Sequence, residues 1–242
     1  EGVVPLCRSF DTIGPIVKTV DDAGLLFSVI TTNKPIDLEY RSIERGRLAI
    51  LKGTALDDLQ QKPARAFEAS VKALSNFGFK IKEIEIDEVE SALALSSLVY
   101  PSEAYAEWKD KIEAAPELMY GEILQRFRGG KDVLASDYLK AMKDLEIFKK
   151  QYAAKCSEFD GVILPTCPIM PPNLERLESD NGYYVSQNLM ALRNTRIGNL
   201  MGICSLTIPT NYNSCGLSIM ALPNREEKLL RLGKAAEMAI LK

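Results

Sequence analysis

Apolar positions along the chain change period repeatedly, and the changes mark out alternating helices and strands. Ala23, Leu25, Leu26 and Val29 form one helical stripe, and Thr19 and Asp22 ahead of it have capping-box spacing, which predicts a helix over 20–31. GRLAILK (Gly46 to Lys52) is a short apolar run, the pattern of a buried strand. A helix is predicted over 56–77, with Ala64, Phe67, Val71 and Leu74 on one face, Pro63 near its start and Gly78 at its end. FKIKEIEI (Phe79 to Ile86) alternates at period two, as a strand with one wet face does. Glu88 to Phe159 is almost wholly helical in pattern, with breaks expected at Pro101, Pro116 and Gly129-Gly130.

Beyond it, GVILP (Gly161 to Pro165) predicts a buried strand that ends in a proline-rich loop, PTCPIMPPN. The polar stretch Glu178 to Tyr184 leads into a helix over 185–198. Two strands follow, Cys204 to Ile208 and Leu217 to Leu222, and then a helix from Glu226 to Leu241 with Leu229, Leu232, Ala236 and Ile240 on one face. No repeat, linker or composition shift divides the sequence. The expectation is one α/β domain over 1–242.

Composition narrows the chemistry. Across 242 residues, 30 Lys+Arg against 33 Asp+Glu give a net charge of −3, which lacks the basic surplus of a nucleic-acid-binding chain. There is no histidine, so Ser-His-Asp and Cys-His nucleophiles, His-ligated zinc and an imidazole base are excluded. Cys7, Cys156, Cys167, Cys204 and Cys215 are odd in number, scattered, and without a C-x-x-C pair; this fits a reducing cytoplasm and inert thiols. No run approaches the roughly 20 apolar residues of a membrane span. The opening EGVVPL has neither Met nor a signal pattern, which implies sequence missing upstream of Glu1. Gly-rich phosphate loops and a G-x-S-x-G elbow are absent. Ser96-Ser97 sits in the apolar helical run ALALSSLVY and reads as packing, and the acidic KEIEIDEVE (Lys82 to Glu90) reads as a solvated face. Asp11 reads as a turn or capping residue, and Gly14-Pro15 as the turn into the first helix.

Three longer segments resemble the amidase signature family. EGVVPLCRSFDTIGPIVKTVDDAGLL (Glu1 to Leu26) is similar to its G-V-x-P…S-x-D-T-x-G-P-I segment. RFRGG…ASDYLKAM (Arg126 to Met142), running on to FDGVILPTCPIMPP (Phe159 to Pro172), is similar to its R-I-x-x-G, D-Y-x-x-A and P-T-x-P stretch. RNTRIGNLMGICSLTIPT (Arg193 to Thr210) is similar to its T-x-x-x-N-x-x-G segment, and GLSIMALPNREEKLL to the family's closing stretch.

The resemblance implies a mixed sheet covered by helices, incomplete at its N-terminus, equivalent to the C-terminal portion of an amidase-signature domain. It implies hydrolysis of a carboxamide C–N bond by a Ser-(cis)Ser-Lys acyl-enzyme mechanism, which needs no histidine, metal or cofactor. The triad would lie upstream, so no catalytic residue is expected in this chain. Three substrate-binding residues are carried over: Arg126 for a substrate carboxylate, with Thr195 and Asn199 at the pocket rim. Structural roles stand as the alternative for each, and Arg128 offers a second register for Arg126. Pro165 and Pro168 would shape a loop at the pocket mouth.

The implied partners are a small-molecule amide and the missing N-terminal half of the same protein. A homodimer is left open, and neither nucleic acid nor membrane is expected. The alternatives are the amidase-type subunit of a tRNA-dependent amidotransferase and a non-catalytic partner or scaffold chain. Leu192 stands where the amidotransferase subunit has an acidic residue for the substrate amino group, which favours a less polar amide than glutamine.

Overall fold

The computed structural model describes residues 2–32, 34–38 and 46–241. Glu1, from which missing upstream sequence was read, and Lys242, the end of the expected domain, lie outside the described residues. Eight α-helices alternate with five strands among the described residues: α1 (Val20–Thr31), β1 (Arg47–Leu51), α2 (Gln61–Phe77), β2 (Lys80–Ile84), α3 (Asp87–Ala114), α4 (Gly121–Arg128), α5 (Ala135–Cys156), β3 (Gly161–Pro165), α6 (Leu174–Ser179), α7 (Asn181–Met201), β4 (Cys204–Pro209), β5 (Gly216–Ala221) and α8 (Glu226–Ile240).

The strands form one mixed sheet in the order β2-β1-β3-β5-β4. β1 is parallel to both β2 and β3, while β5 runs antiparallel to β3 and β4. The fold class is therefore α/β, as the alternating pattern implies. Strand side chains point alternately to the two faces, and each face has its own helical cover. Ala49, Leu51, Val162, Leu164 and Met220 pack against α3, α5 and α7. Leu48, Ile50, Ile163 and Ile219 pack against α2 and α8, where Leu229, Leu232, Ala236 and Ile240 are all buried. Covered on both sides, β3 is buried at every position, which is why its sequence is an unbroken apolar run. β2 and β4 are the edges; β4 keeps the alternation of a half-wet strand, while in β2 the expected period of two slips at Lys82-Glu83, both exposed.

Caps set several boundaries. The Thr19 hydroxyl accepts from the Asp22 amide at 3.1 Å and starts α1 as the sequence implies. The Asp11 carboxylate accepts from the amides of Leu6 (2.8 Å) and Cys7 (3.1 Å), a local tie that turns the N-terminal segment. That segment lies on α3: Trp108 Nε1 donates to the Pro5 carbonyl, Arg8 pairs with Glu107, and the Phe10 ring meets Tyr100 edge-on at 4.7 Å.

Four expectations are corrected. The helix expected over 56–77 begins at Gln61, because Gly53–Ala55 forms a 3-10 turn and Asp58 takes a left-handed conformation at φ 51°. Pro101 does not break α3, although its ring removes a helical donor. The helix is held there by packing on both sides against α5 and α7, and the Ser102 hydroxyl donates to the Leu98 carbonyl at 2.7 Å. The helix expected over 185–198 runs from Asn181 to Met201: Asp180 caps it by accepting from the Tyr183 amide, so part of the polar stretch before 185 is its first turn. Gly14-Pro15 lies in an irregular segment with no assigned turn, and the bend into α1 falls at Lys18-Thr19.

The break at Gly129-Gly130 has a tertiary cause as well as a local one. A Cβ at Gly130 would sit 2.1 Å from the Pro101 carbonyl oxygen and 2.7 Å from the Ser102 nitrogen, both main-chain atoms. Substitution of Gly130 by Ala therefore has to push α3 and the end of α4 apart, a destabilisation of about 1–3 kcal/mol in urea unfolding. Gly121→Ala, at a site with nothing within 4 Å, should leave stability the same or slightly higher.

Asp160 joins the start of β3 to α8. It accepts from the Arg47 amide at 2.7 Å and pairs with Lys228 Nζ at 2.6 Å. Burial pushes its carboxyl up, but Lys228 and the Arg47 amide outweigh this and hold it below the usual 3.8. Its contribution is thus complete above that value and lost as pH falls through the lower folded-state pKa. Asp160→Asn should flatten the fall in stability measured between about pH 4 and pH 2.

Candidate functional site

α7 carries the residues singled out in its sequence, and a buried amide fixes where it lies. Asn194 is 0% exposed. Its Nδ2 donates to the Ala55 carbonyl at 2.9 Å and to the Pro165 carbonyl at 2.7 Å. Those acceptors follow β1 and end β3, so the helix is tied to the carboxyl ends of two parallel strands, the edge of an α/β sheet where ligands commonly bind. Arg193 adds a bond from Nη2 to the Asp57 carbonyl, and Gly202 closes the helix in the left-handed region at φ 62°.

Spacing by three and four places Asn188, Leu192, Thr195, Arg196 and Asn199 on one face of α7. Arg126, in the last turn of α4, donates from Nη1 to Asn188 Oδ1 at 2.7 Å. Arg128 turns away and pairs with both Glu113 carboxylate oxygens, at 3.0 and 2.6 Å, so of the two registers it is Arg126 that faces α7. Asn199 is tied at both ends of its amide: Nδ2 donates to the Phe10 carbonyl at 2.6 Å, and Oδ1 accepts from the Tyr100 hydroxyl at 2.7 Å. It thereby joins the N-terminal segment, α3 and α7. Thr195 is exposed, and its hydroxyl donates to Leu192 O in its own helix. Leu192 is 44% exposed.

Arg126, Thr195 and Asn199 thus meet one face of one helix, with the Arg126 contact at Asn188 about 10 Å along the axis from Thr195 and about 16 Å from Asn199 at 1.5 Å per residue. Asn188, Tyr100 and Arg196 also belong to it and were not named from sequence. Counting back and forward by four from Leu192 finds Asn188 and Arg196. Tyr100 is 99 residues away from its partner in sequence, and no local signal marks it. Tyr120 and Tyr184 meet edge-on at 5.0 Å and join the residue before α4 to the first turn of α7.

The surroundings favour binding over reaction. Burial raises the Tyr100 phenol, so it is a neutral donor at pH 7. The Cys7 thiol is pushed up to about 12 by burial and then by Glu103 and Asp11, and the Cys156 thiol to about 11 by burial. Neither is a nucleophile at neutral pH. Ser96, part-buried, and Ser97, exposed, donate to carbonyls of their own helix at Leu93 and Ala94, so the packing expected of the pair does not extend to Ser97. Thr166, Thr207 and Ser218 share hydrogen bonds with one another. The best-formed hollows have volumes of about 40 and 10 Å³ and lie elsewhere, far below the ~300–1,000 Å³ of a ligand pocket. The α7 face is an open wall. Among the described residues no group of three or more His, Cys, Asp or Glu could hold a metal ion, and no helix is long and apolar enough to cross a membrane.

A family model described as Amidase matches residues 1–230. The 2-amino-5-chloromuconic acid deaminase of Comamonas testosteroni is 27% identical, over 99% of this chain and 54% of its own length. A glutamyl-tRNA(Gln) amidotransferase subunit from Sulfurisphaera tokodaii is 27% identical, over 96% of this chain and 58% of its own length. A crystal structure of an amidase superposes with a TM-score of 0.83 at 21% identity, covering 99% of this chain and 55% of that one, a likeness of fold. The chain therefore spans little more than half the length of the curated relatives it matches.

Asn194→Ala should destabilise the protein by about 2–4 kcal/mol in urea unfolding, because it leaves two buried carbonyls without a donor. Thr195→Ala, at an exposed position one residue on, should stay within about 0.5 kcal/mol.

Proposed function

The chain belongs to the amidase family, and from that premise we propose that it is the substrate-binding, C-terminal portion of an amidase that hydrolyses a carboxamide C–N bond. The observation that carries this reading is the α7 wall: a guanidinium, carboxamides and an exposed leucine share one face of the helix that Asn194 ties to the carboxyl ends of β1 and β3, in a set without an activated nucleophile. The reacting groups stand on the other portion of the protein. There a neutral Lys takes a proton through a bridging Ser whose peptide bond is cis, and a second Ser attacks the amide carbonyl. Backbone N–H groups stabilise the oxyanion, ammonia or an amine leaves, and water releases the acid from the acyl-serine.

In this division Arg126 grips the polar end of the substrate, Leu192 lies along its carbon chain, and Thr195 and Asn199 stand at the rim. Asn199 acts by position, since its amide is already engaged with Phe10 and Tyr100. Residues 1–242 constitute one α/β unit that completes an amidase-signature domain. The N-terminal portion is its main partner. Surface apolarity supports this: Val3, Val4, Ile13 and Ile16 are exposed along the N-terminal segment, Leu25, Val29 and Ile30 are exposed on α1, and β4 has no outer strand among the described residues. The reaction requires no metal or cofactor. The five free cysteines accord with a cytoplasmic setting, and neither nucleic acid nor a membrane enters the scheme. A homodimer would be compatible with it.

The similarity to the S. tokodaii amidotransferase chain favours a second reading, an amidase-type subunit working on a tRNA-linked substrate. Leu192 weighs against it, since an exposed leucine gives no counter-charge to an ammonium group. A non-catalytic scaffold is the reading left if no assembled form turns over.

Ammonia release from simple carboxamides tests the proposal. The purified chain should show none, and the chain joined to an N-terminal portion bearing the Ser and Lys residues should show it. Arg126→Met in the joined protein should lower kcat/KM for a carboxylated amide by tenfold or more, through loss of a charged hydrogen bond of about 1.5–3 kcal/mol. Turnover by the purified chain, or an Arg126→Met protein equal to its parent, would contradict the proposed roles.

A further inference from the structure

We propose that Cys167, Met170 and Cys215 form a soft-cation site beside the start of α2, and that it takes one Cu(I) ion through two thiolates and a thioether. The proposal goes beyond the amidase reading and stands without it, since the ion has no part in the reaction.

Strand register brings the sulfurs together. β3 and β5 pair antiparallel, with Ile163 opposite Ile219 and Pro165 opposite Leu217. The register runs on past the end of β3: the Thr166 amide donates to the Gly216 carbonyl at 2.9 Å, and a Cβ at Gly216 would lie 2.9 Å from the Thr166 hydroxyl oxygen. The next facing pair is Cys167 and Cys215. It follows a hydrogen-bonded pair, so it is of the non-hydrogen-bonded kind whose side chains stand closest, with Cβ atoms about 4.5–5.5 Å apart. The loop then folds back, and Met170 Sδ lies 3.8 Å from Cys215 Sγ. Contacts at Thr166 and at Met170 thus bracket Cys167 against Cys215-Gly216. At the metal–sulfur length of about 2.3 Å that zinc thiolates show, two sulfurs on one ion stand about 3.8–4.0 Å apart, which the Met170–Cys215 contact already meets.

The donor set selects the ion. The sequence has no histidine, and among the described residues no group of three or more His, Cys, Asp or Glu could hold a metal. The third donor here is a thioether, and thiolate with thioether is the set that favours Cu(I) over zinc or the oxygen-seeking cations. All three residues are half-buried, which leaves a path in from the surface, whereas Cys7 and Cys156 are buried. On binding, both thiols give their protons to solvent, and Cu(I) between two thiolates leaves one net negative charge. The start of α2 faces that charge: the Gln60 amide donates to the Pro168 carbonyl at 2.9 Å, and Gln60 Oε1 accepts from the Met170 amide at 2.8 Å. The loop therefore lies at the positive end of a 17-residue helix with Lys62 in its first turn. Burial raises the Cys215 thiol most, Lys62 draws it down and Cys167 pushes it up, so both neighbours act on this sulfur.

The test uses the full chain, fully reduced and under argon, with Cu(I) offered as its complex with the chromophoric chelator bicinchoninate. The chain should withdraw one equivalent. Cys167→Ser and Cys215→Ser should each weaken binding about a hundredfold or more, and Met170→Leu, which keeps the volume, about tenfold. Cys204→Ser should leave binding unchanged. Alkylation by N-ethylmaleimide, mapped by peptide mass, then reads which sulfurs the ion covers: Cu(I) should shield Cys167 and Cys215 and leave Cys204 as reactive as before.

A chain that withdraws no copper overturns the proposal, as does full affinity in Cys167→Ser, Cys215→Ser or Met170→Leu. If the substituted chains do not fold, alkylation of the unsubstituted chain decides: Cys167 and Cys215 labelled equally with and without copper overturns it.

Discussion

Both hydrogens of the Asn194 carboxamide go to main-chain carbonyls, at Ala55 and Pro165, in a place with no access to solvent. An unpaired carbonyl in such a place costs about 1–3 kcal/mol, so the arrangement holds as a unit: α7 has to lie across the carboxyl ends of β1 and β3 for all three groups to be satisfied. From that anchor the rest of the wall follows by helical geometry. Asn188 is turned toward α4 and Arg126. Asn199, at the other end, binds Phe10 and Tyr100 and draws the N-terminal segment against α3. A polar side chain inside an otherwise apolar interface thus sets the orientation of every group the substrate would meet.

In the proposed reading the wall serves recognition. Its titratable groups are either locked in one state by burial, as with the Tyr100 phenol and the Cys7 thiol, or are guanidinium groups that stay cationic at any working pH. Neither kind can shuttle a proton near neutrality, and a sequence without histidine supplies no substitute. The proposed division separates reacting groups from binding groups along the chain. Ile13, Ile16 and Val29 are exposed, and β4 has no outer strand among the described residues, which accords with the proposed partner portion.

What the sequence reveals and what it hides divide along physical lines. β3 and α8 are plain in it because burial alone fixes their patterns: an apolar run where both faces are covered, and a 3.6-residue stripe where one is. Pro101 misleads because a helix-breaking residue is outweighed by tertiary packing, and the start of α7 is hidden because its cap and first turn are polar and carry no apolar stripe. In the candidate site, Arg126, Thr195 and Asn199 are singled out by the motifs that resemble the family's. Tyr100 reaches Asn199 across 99 residues of sequence, beyond any local pattern.

The central claim is that this chain binds the substrate while a serine outside it reacts. Intact-mass measurement after treatment with a fluorophosphonate that labels activated serines tests this most directly, on the chain alone and on the chain assembled with a separately expressed N-terminal portion. The account predicts an unmodified mass for residues 1–242 in both cases and a single adduct on the other portion. Stoichiometric labelling of any serine within this chain, Ser96 and Ser97 included, would contradict it.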